Sequence, residues 1–258
     1  MDKIKIGIKT WSNNTKVIEQ LKTAYSKGII SYVEIYVVPG TSANISLFKA
    51  MNIPIVIHST HSKHNVNIAK KELLEYNTKM FKEVVLFTEK LNSETIILHA
   101  DYDGTNTAAI ACLKNFESMV KNSGMITVEN MPKIALDGTE CLGQNAEMMK
   151  AILQDKYSFC LDFSHAYKAA FALGKEPKKL INELLELEPK LFHLSGAGSY
   201  TLKDDHLNLF DKRNEMDNSF VKKAIKKSKS KMVTIETPVR NLESIEEDLR
   251  NIEFLEEL

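Results

Sequence analysis

The sequence predicts an α/β protein folded as one (β/α)8 TIM barrel over residues 1–258, and three observations carry that prediction. Short apolar runs of strand length alternate with longer segments of helical period from one end of the chain to the other. Eight such pairs fill 258 residues at about 32 residues each, close to the usual size of a closed barrel of this kind. No linker, sequence repeat or inserted block breaks the alternation, so a doubly wound open sheet is the weaker alternative.

The first strand is expected at Ile4–Lys9, where apolar and charged residues alternate, and the first helix at Lys16–Lys27. Tyr32–Val37 and Ile53–His58 follow as strands, with helices at Ser42–Met51 and Lys70–Leu91. Thr95–His99 and Met125–Glu129 form the next two strands, each followed by a helical period, at Ala108–Asn122 and Asn145–Asp155. Strand Ser158–Asp162 leads into two helical pieces, Ala166–Leu173 and Pro177–Leu185. Lys190–Leu194 and Met232–Glu236 complete the strands, with helices at Ser219–Lys229 and Leu242–Leu258.

Composition narrows the function. Lys plus Arg number 34 against 34 Asp plus Glu, 43% of residues are hydrophobic, and Gly and Pro number only 10 and 6. Such a chain builds a packed core and is neither disordered nor collagen-like. Zero net charge argues against gripping nucleic acid by bulk charge, though a local basic groove stays open. The charged, alternating N-terminus has no signal-peptide pattern, and no run of about 18 apolar residues occurs, so a soluble cytoplasmic protein with no membrane association is expected. Cys112, Cys141 and Cys160 lack CxxC spacing and read as reduced thiols. Nothing in the sequence calls for a protein partner, and Leu184, Leu185 and Leu187 read as barrel core.

The informative feature is what ends the strands. Six of the eight close on a metal-competent side chain: His58, His99, Glu129, Asp162, His193 and Glu236. In a barrel all C-terminal strand ends meet at one mouth, so these distant residues are expected to share a pocket. Asp162 and His165 add a D-x-x-H at a strand-to-helix junction. Asp204 and His206 add a D-x-H whose side chains share a side if the segment is extended. This mixture suits Zn²⁺, or Mn²⁺ where carboxylates and water dominate. HLSGAGSY lacks the nucleophile-elbow pattern, and no Gly-rich phosphate loop follows the first strand. The lysines of KKAIKKSKSK are expected on a solvated surface near the opposite face of the barrel.

The stretches IVIHSTH, IILHA, TVENMP, CLDFSHAY, FHLS, DDH and TIETP resemble, in order, the endonuclease IV family of zinc-dependent apurinic/apyrimidinic endonucleases, within the xylose-isomerase-like barrel superfamily. The resemblance runs from the third strand to the eighth. It implies up to three Zn²⁺ ions: one on His58, His99 and Glu129, a second sharing Glu129 with Asp162, His193 and Glu236, and a third on His165, Asp204 and His206. His61 competes with His58 for the first position; strand register favours His58. Glu236 or Glu129 would orient or deprotonate the attacking water while the ions polarise a phosphoester, either abasic DNA or a smaller one.

The chain also departs from that family. Its first strand ends Lys9–Thr10–Trp11–Ser12 in place of His-x-Ser, and YVVPGTSAN lacks an Arg-bearing recognition segment. Only three Arg are present; Arg213 and Arg240 fall on the mouth side, where either could hold a phosphate, and Arg250 reads as surface. Sugar isomerases and epimerases of the same superfamily are the runner-up: they need only Glu129, Asp162, His193 and Glu236 around one metal. His99, Asp204 and His206 favour the hydrolase.

Overall fold

A computed structural model describes residues 3–236 and 243–257. Eight parallel strands close on themselves in chain order: β1 (Lys5–Trp11), β2 (Tyr32–Tyr36), β3 (Ile55–His58), β4 (Ile96–His99), β5 (Ile126–Glu129), β6 (Ser158–Asp162), β7 (Leu191–Leu194) and β8 (Met232–Ile235), with β8 returning to pair with β1. Around them run α1 (Ile18–Ser26), α2 (Ile45–Lys49), α3 (Leu74–Lys90), α4 (Asn106–Glu117), α5 (Ala146–Leu153), α6 (Phe163–Ala172), α7 (Pro177–Leu185), α8 (Asn218–Lys227) and α9 (Glu246–Glu257). The predicted barrel is the observed one. No helix among the described residues is long and apolar enough to cross a membrane, and all three cysteines are buried and unpaired.

Element ends differ from expectation for local reasons. β1 continues to Trp11 because Thr10 and Trp11 still have partners, Ile35 and Tyr36 of β2. β3 begins at Ile55, after Pro54, whose missing N–H cannot join a ladder. α4 starts two residues early because the Thr105 hydroxyl caps it, accepting from the Ala108 N–H at 3.1 Å. α6 starts at Phe163, not Ala166, because the Asp162 carboxylate accepts the His165 N–H at 2.8 Å. The predicted residues Leu242 and Leu258 of the last helix lie outside the described residues.

The main core fills the space between sheet and helices, and Leu184 is fully buried there while Leu185 and Leu187 pack against it. A second, smaller cluster of Tyr32, Val56, Ile97, Cys160 and Leu191, with Met232 against it, plugs the barrel. Side chains two apart on a strand share a face. Residues two positions beyond this plug therefore also point inward, one level nearer the mouth: Glu34, His58, His99, Asp162 and His193. The same step from Gly7, Thr127 and Thr234 leads to Lys9, Glu129 and Glu236. All eight strands thus contribute one polar side chain to a ring, and the apolar plug closes its floor.

Gly7 matters to that floor. A Cβ there would lie 2.3 Å from the Tyr32 ring, and the ring cannot swing aside freely because it is buried and its hydroxyl hydrogen-bonds Thr234 at 2.9 Å. Gly7→Ala is expected to cost about 1–3 kcal/mol by overpacking, read as a lowered denaturant midpoint; an unchanged midpoint would show that the plug has slack.

Candidate metal centre

The ring residues are almost completely buried: Glu34, His58, Glu129, Asp162 and His193 show no exposed surface, and Glu236 little. Their donor atoms gather into overlapping groups within 4.8 Å: His58–His99–Glu129, Glu129–Asp162–His165, His165–Asp204–His206, Glu34–His58–His193–Glu236 and Glu129–Cys160–His193. The first and third coincide with two of the three sets implied by the sequence resemblance. Glu129 stands between the others. Its Oε2 faces His58 at 3.3 Å and His99 at 3.5 Å, and its Oε1 faces His193 at 3.3 Å and His165 at 3.4 Å. Glu236 is likewise shared, with Oε1 2.9 Å from His193 Nδ1 and Oε2 3.4 Å from His206 Nδ1.

Three buried histidines each commit one ring nitrogen to an oxygen acceptor and turn the other toward the carboxylates. His58 Nδ1–H donates to the Ser59 carbonyl at 2.9 Å, leaving Nε2 to Glu129. His165 Nδ1–H donates to the Asn130 carbonyl at 2.8 Å, leaving Nε2 3.2 Å from Asp204. His193 Nε2–H donates to Glu34 at 3.0 Å, leaving Nδ1 to Glu129 and Glu236. Such outer partners fix the orientation of ligating imidazoles. Meanwhile Glu129 Oε1, Asp162 Oδ2, His193 Nδ1 and Asp204 Oδ1 are buried and make no aligned hydrogen bond. Buried polar atoms are nearly always satisfied, so a cluster of free donor atoms facing one another fits a bound cation. The mixed imidazole and carboxylate set fits Zn²⁺ or Mn²⁺.

Electrostatics point the same way. Burial disfavours the charged form of Glu129, yet His193 and His99 hold its pKa well below the usual range. Glu236 is also held low against burial, by Lys9 and His193. Asp162 instead moves up, chiefly through burial. Burial pushes His99 down to about 3. His206, opposed by burial but drawn by Asp204, rises to about 9, and Asp162 and Asp204 raise His165 against burial in the same way. Burial raises the Cys160 thiol, which keeps it protonated and a poor ligand although it lies within one group.

Asp204 and His206 meet as expected, but not through an extended segment. His206 has φ +40°, and this left-handed turn brings its Nε2 against Asp204. The loop is held by Lys168, a buried lysine on α6 one turn beyond His165, which donates to the Gly198 and Thr201 carbonyls at 2.7 and 3.1 Å and pairs with Asp205 at 2.9 Å.

The other expected residues are placed as follows. His61 belongs to none of the donor groups among the described residues; its ring stacks on His99 with centroids 4.4 Å apart. Arg213 is exposed and its guanidinium pairs with Asp211 at 2.7 Å. Arg240 lies outside the described residues. Lys222 and Lys226 line a shallow cavity with Lys3, Ile4 and Ile6, at the start of β1 and away from the mouth. Two ring members went unnoticed in the sequence, Lys9 and Glu34. Lys9 contacts Glu236 through its ammonium and lies 3.7 Å from Glu34. An acid inside the apolar run YVEIY was the available signal, since a buried charge requires a partner.

A closed eight-stranded barrel with a buried His/carboxylate centre at its mouth defines the class. A family profile described as xylose isomerase-like TIM barrel matches residues 45–258, and the chain belongs to that family. The sequence has no match among proteins of curated function. Among solved structures it is similar to a D-tagatose 3-epimerase-like protein at 17% identity and TM-score 0.73, covering 98% of this chain and 96% of that one. It is also similar to endonuclease IV from Thermus thermophilus at 20% identity and TM-score 0.71, covering 98% and 99%. A third is the TTHB071 protein of the same organism, from a crystal soaked with ZnCl2, at 15% identity and TM-score 0.66, covering 98% and 97%. At such identities these likenesses speak to the fold alone.

The raised pKa of His206 makes stability pH-dependent. A histidine with a folded pKa near 9 and an unfolded value near 6.5 stabilises the fold fully below pH about 6.5, and loses that contribution as pH rises to about 9. Chelator-treated protein should therefore show a melting temperature that falls between pH 6.5 and 9, more so than a His206→Asn variant. Equal slopes for the two would remove His206 as the cause.

Proposed function

We propose that the chain is a metal-dependent phosphoester hydrolase resembling endonuclease IV, a single-domain cytoplasmic enzyme with up to three Zn²⁺ ions, Mn²⁺ being the alternative. The observation that supports this best is the pair of complete donor groups, His58–His99–Glu129 and His165–Asp204–His206, on either side of Glu129, Asp162, His193 and Glu236. Divalent ions bound there would supply charge to phosphoryl oxygens and lower the pKa of a bound water.

The chain's own residues prepare that chemistry. The two oxygens of Glu129 face different histidine pairs, which suits a carboxylate shared between adjacent ions. Glu236, kept ionised by Lys9 and His193, would orient an attacking water at the mouth through its fixed negative charge. His206 lies against its second oxygen and is only partly buried, so it is open to a substrate at the mouth. With three Arg in the chain and Arg213 already paired to Asp211, a compact phosphoester suits the mouth better than an extended duplex, and abasic DNA is the larger substrate to test.

A second reading, a one-metal sugar isomerase or epimerase, draws on Glu129 and Glu236 both facing His193 Nδ1 and on the likeness to the epimerase-like structure. Elemental analysis of protein purified without chelators separates the two. Three Zn²⁺ per chain with cleavage of an abasic-site oligonucleotide or a small phosphodiester supports the hydrolase, and fewer than two bound metals would overturn it. One Mn²⁺ with solvent-proton exchange into ketoses and no cleavage supports the isomerase. Glu236→Gln is expected to lower kcat at least about 100-fold while the circular dichroism spectrum stays unchanged; wild-type turnover would refute its role.

A further inference from the structure

We propose that Glu34 is a positioning residue that sets the His193 ring so that Nδ1 is presented to the metal centre, an inference that rests on the metal-dependent reading above. The other two buried histidines are oriented by main-chain carbonyls of Ser59 and Asn130, each within or beside the mouth loops. His193 is oriented differently. Its Nε2–H goes to a fully buried carboxylate from β2, which reaches it across the barrel.

Glu34 is itself held on several sides. Its Oε2 accepts from Thr234 Oγ1 at 2.7 Å as well as from His193, and Thr234 in turn pairs with the Tyr32 hydroxyl. Lys9 lies 3.7 Å from the other oxygen while contacting Glu236. The carboxylate is thus fixed by Thr234 of the level beneath and balanced by the neighbouring ammonium of Lys9. With Nε2 so occupied, Nδ1 is the nitrogen left to face Glu129 Oε1 and Glu236 Oε1, at 3.3 and 2.9 Å. A carboxylate acceptor also makes the imidazole a stronger donor to a cation than a carbonyl would. Glu34 belongs to one of the geometric donor groups, but with Lys9 set between it and Glu236 it acts through His193.

The test uses full-length protein and Zn²⁺, in competition with a coloured chelator, together with the NMR resonance of the His193 Nε2–H. Glu34→Gln should weaken one Zn²⁺ by about 10- to 100-fold and leave other bound Zn²⁺ unchanged. The Nε2–H resonance, shifted downfield and shielded from exchange by its carboxylate acceptor in the wild type, should move upfield or vanish. Thr234→Val, which keeps the carboxylate and removes one of its donors, should weaken the same ion by less, and it decides the matter if Glu34→Gln does not fold. Unchanged affinity with an unchanged resonance overturns the proposal. So does a parallel loss of every ion together with a lowered melting temperature of the metal-free protein, the mark of a merely structural residue. If the wild type retains no Zn²⁺, the metal reading falls, and the resonance alone decides whether Glu34 holds His193.

Discussion

Four carboxylates, Glu34, Glu129, Asp162 and Glu236, are buried together in a barrel mouth whose strands supply, among the described residues, a single ammonium, that of Lys9. Moving a carboxylate out of water costs several kcal/mol, and neighbouring like charges add to it. The rest of the site can be understood as the ways this fold neutralises that cluster. Lys9 balances Glu34 and Glu236. His165, His193 and His206, all with raised pKa, can carry protons among Glu129, Asp162 and Asp204. A bound cation would do the same work better, because it would meet several free donor atoms at once and release the histidines from their protons.

The barrel makes the cluster unavoidable. Parallel closure directs every strand end to one face, and the two-residue period stacks a polar ring directly on the plug of Tyr32, Val56, Ile97, Cys160 and Leu191. The plug excludes water from beneath, which keeps the local dielectric low and the charges strongly coupled. Buried scaffolding then fixes directions: Asp162 caps α6 while keeping one oxygen free, and Lys168 ties down the loop that carries Asp204 and His206.

Much of this was legible in the chain. The eight strands and the six polar residues at their ends could be read because β3 to β8 stop at or within a residue of the ring. Glu34 escaped for the complementary reason: β2 runs two residues further, to Tyr36, so its ring residue sits inside the strand. Lys9 closes the expected first strand, but an ammonium is not a metal ligand and so gave no signal among the metal-competent strand ends. Helix starts such as Phe163 shifted because a capping side chain, not periodicity, sets the first turn. The left-handed backbone of His206 has no signature in a D-x-H spacing. His61 shows the limit of motif reading: it stacks on His99 as an aromatic wall, while strand register puts His58 inside.

On the proposed reading, this mouth would exchange protons for metal. Calorimetric titration of the chelator-treated protein with Zn²⁺ at pH 7, repeated in two buffers of different ionisation enthalpy, measures that exchange directly. The account predicts tight binding with net release of protons from the histidines. Binding without proton release, or no binding at all, would contradict it.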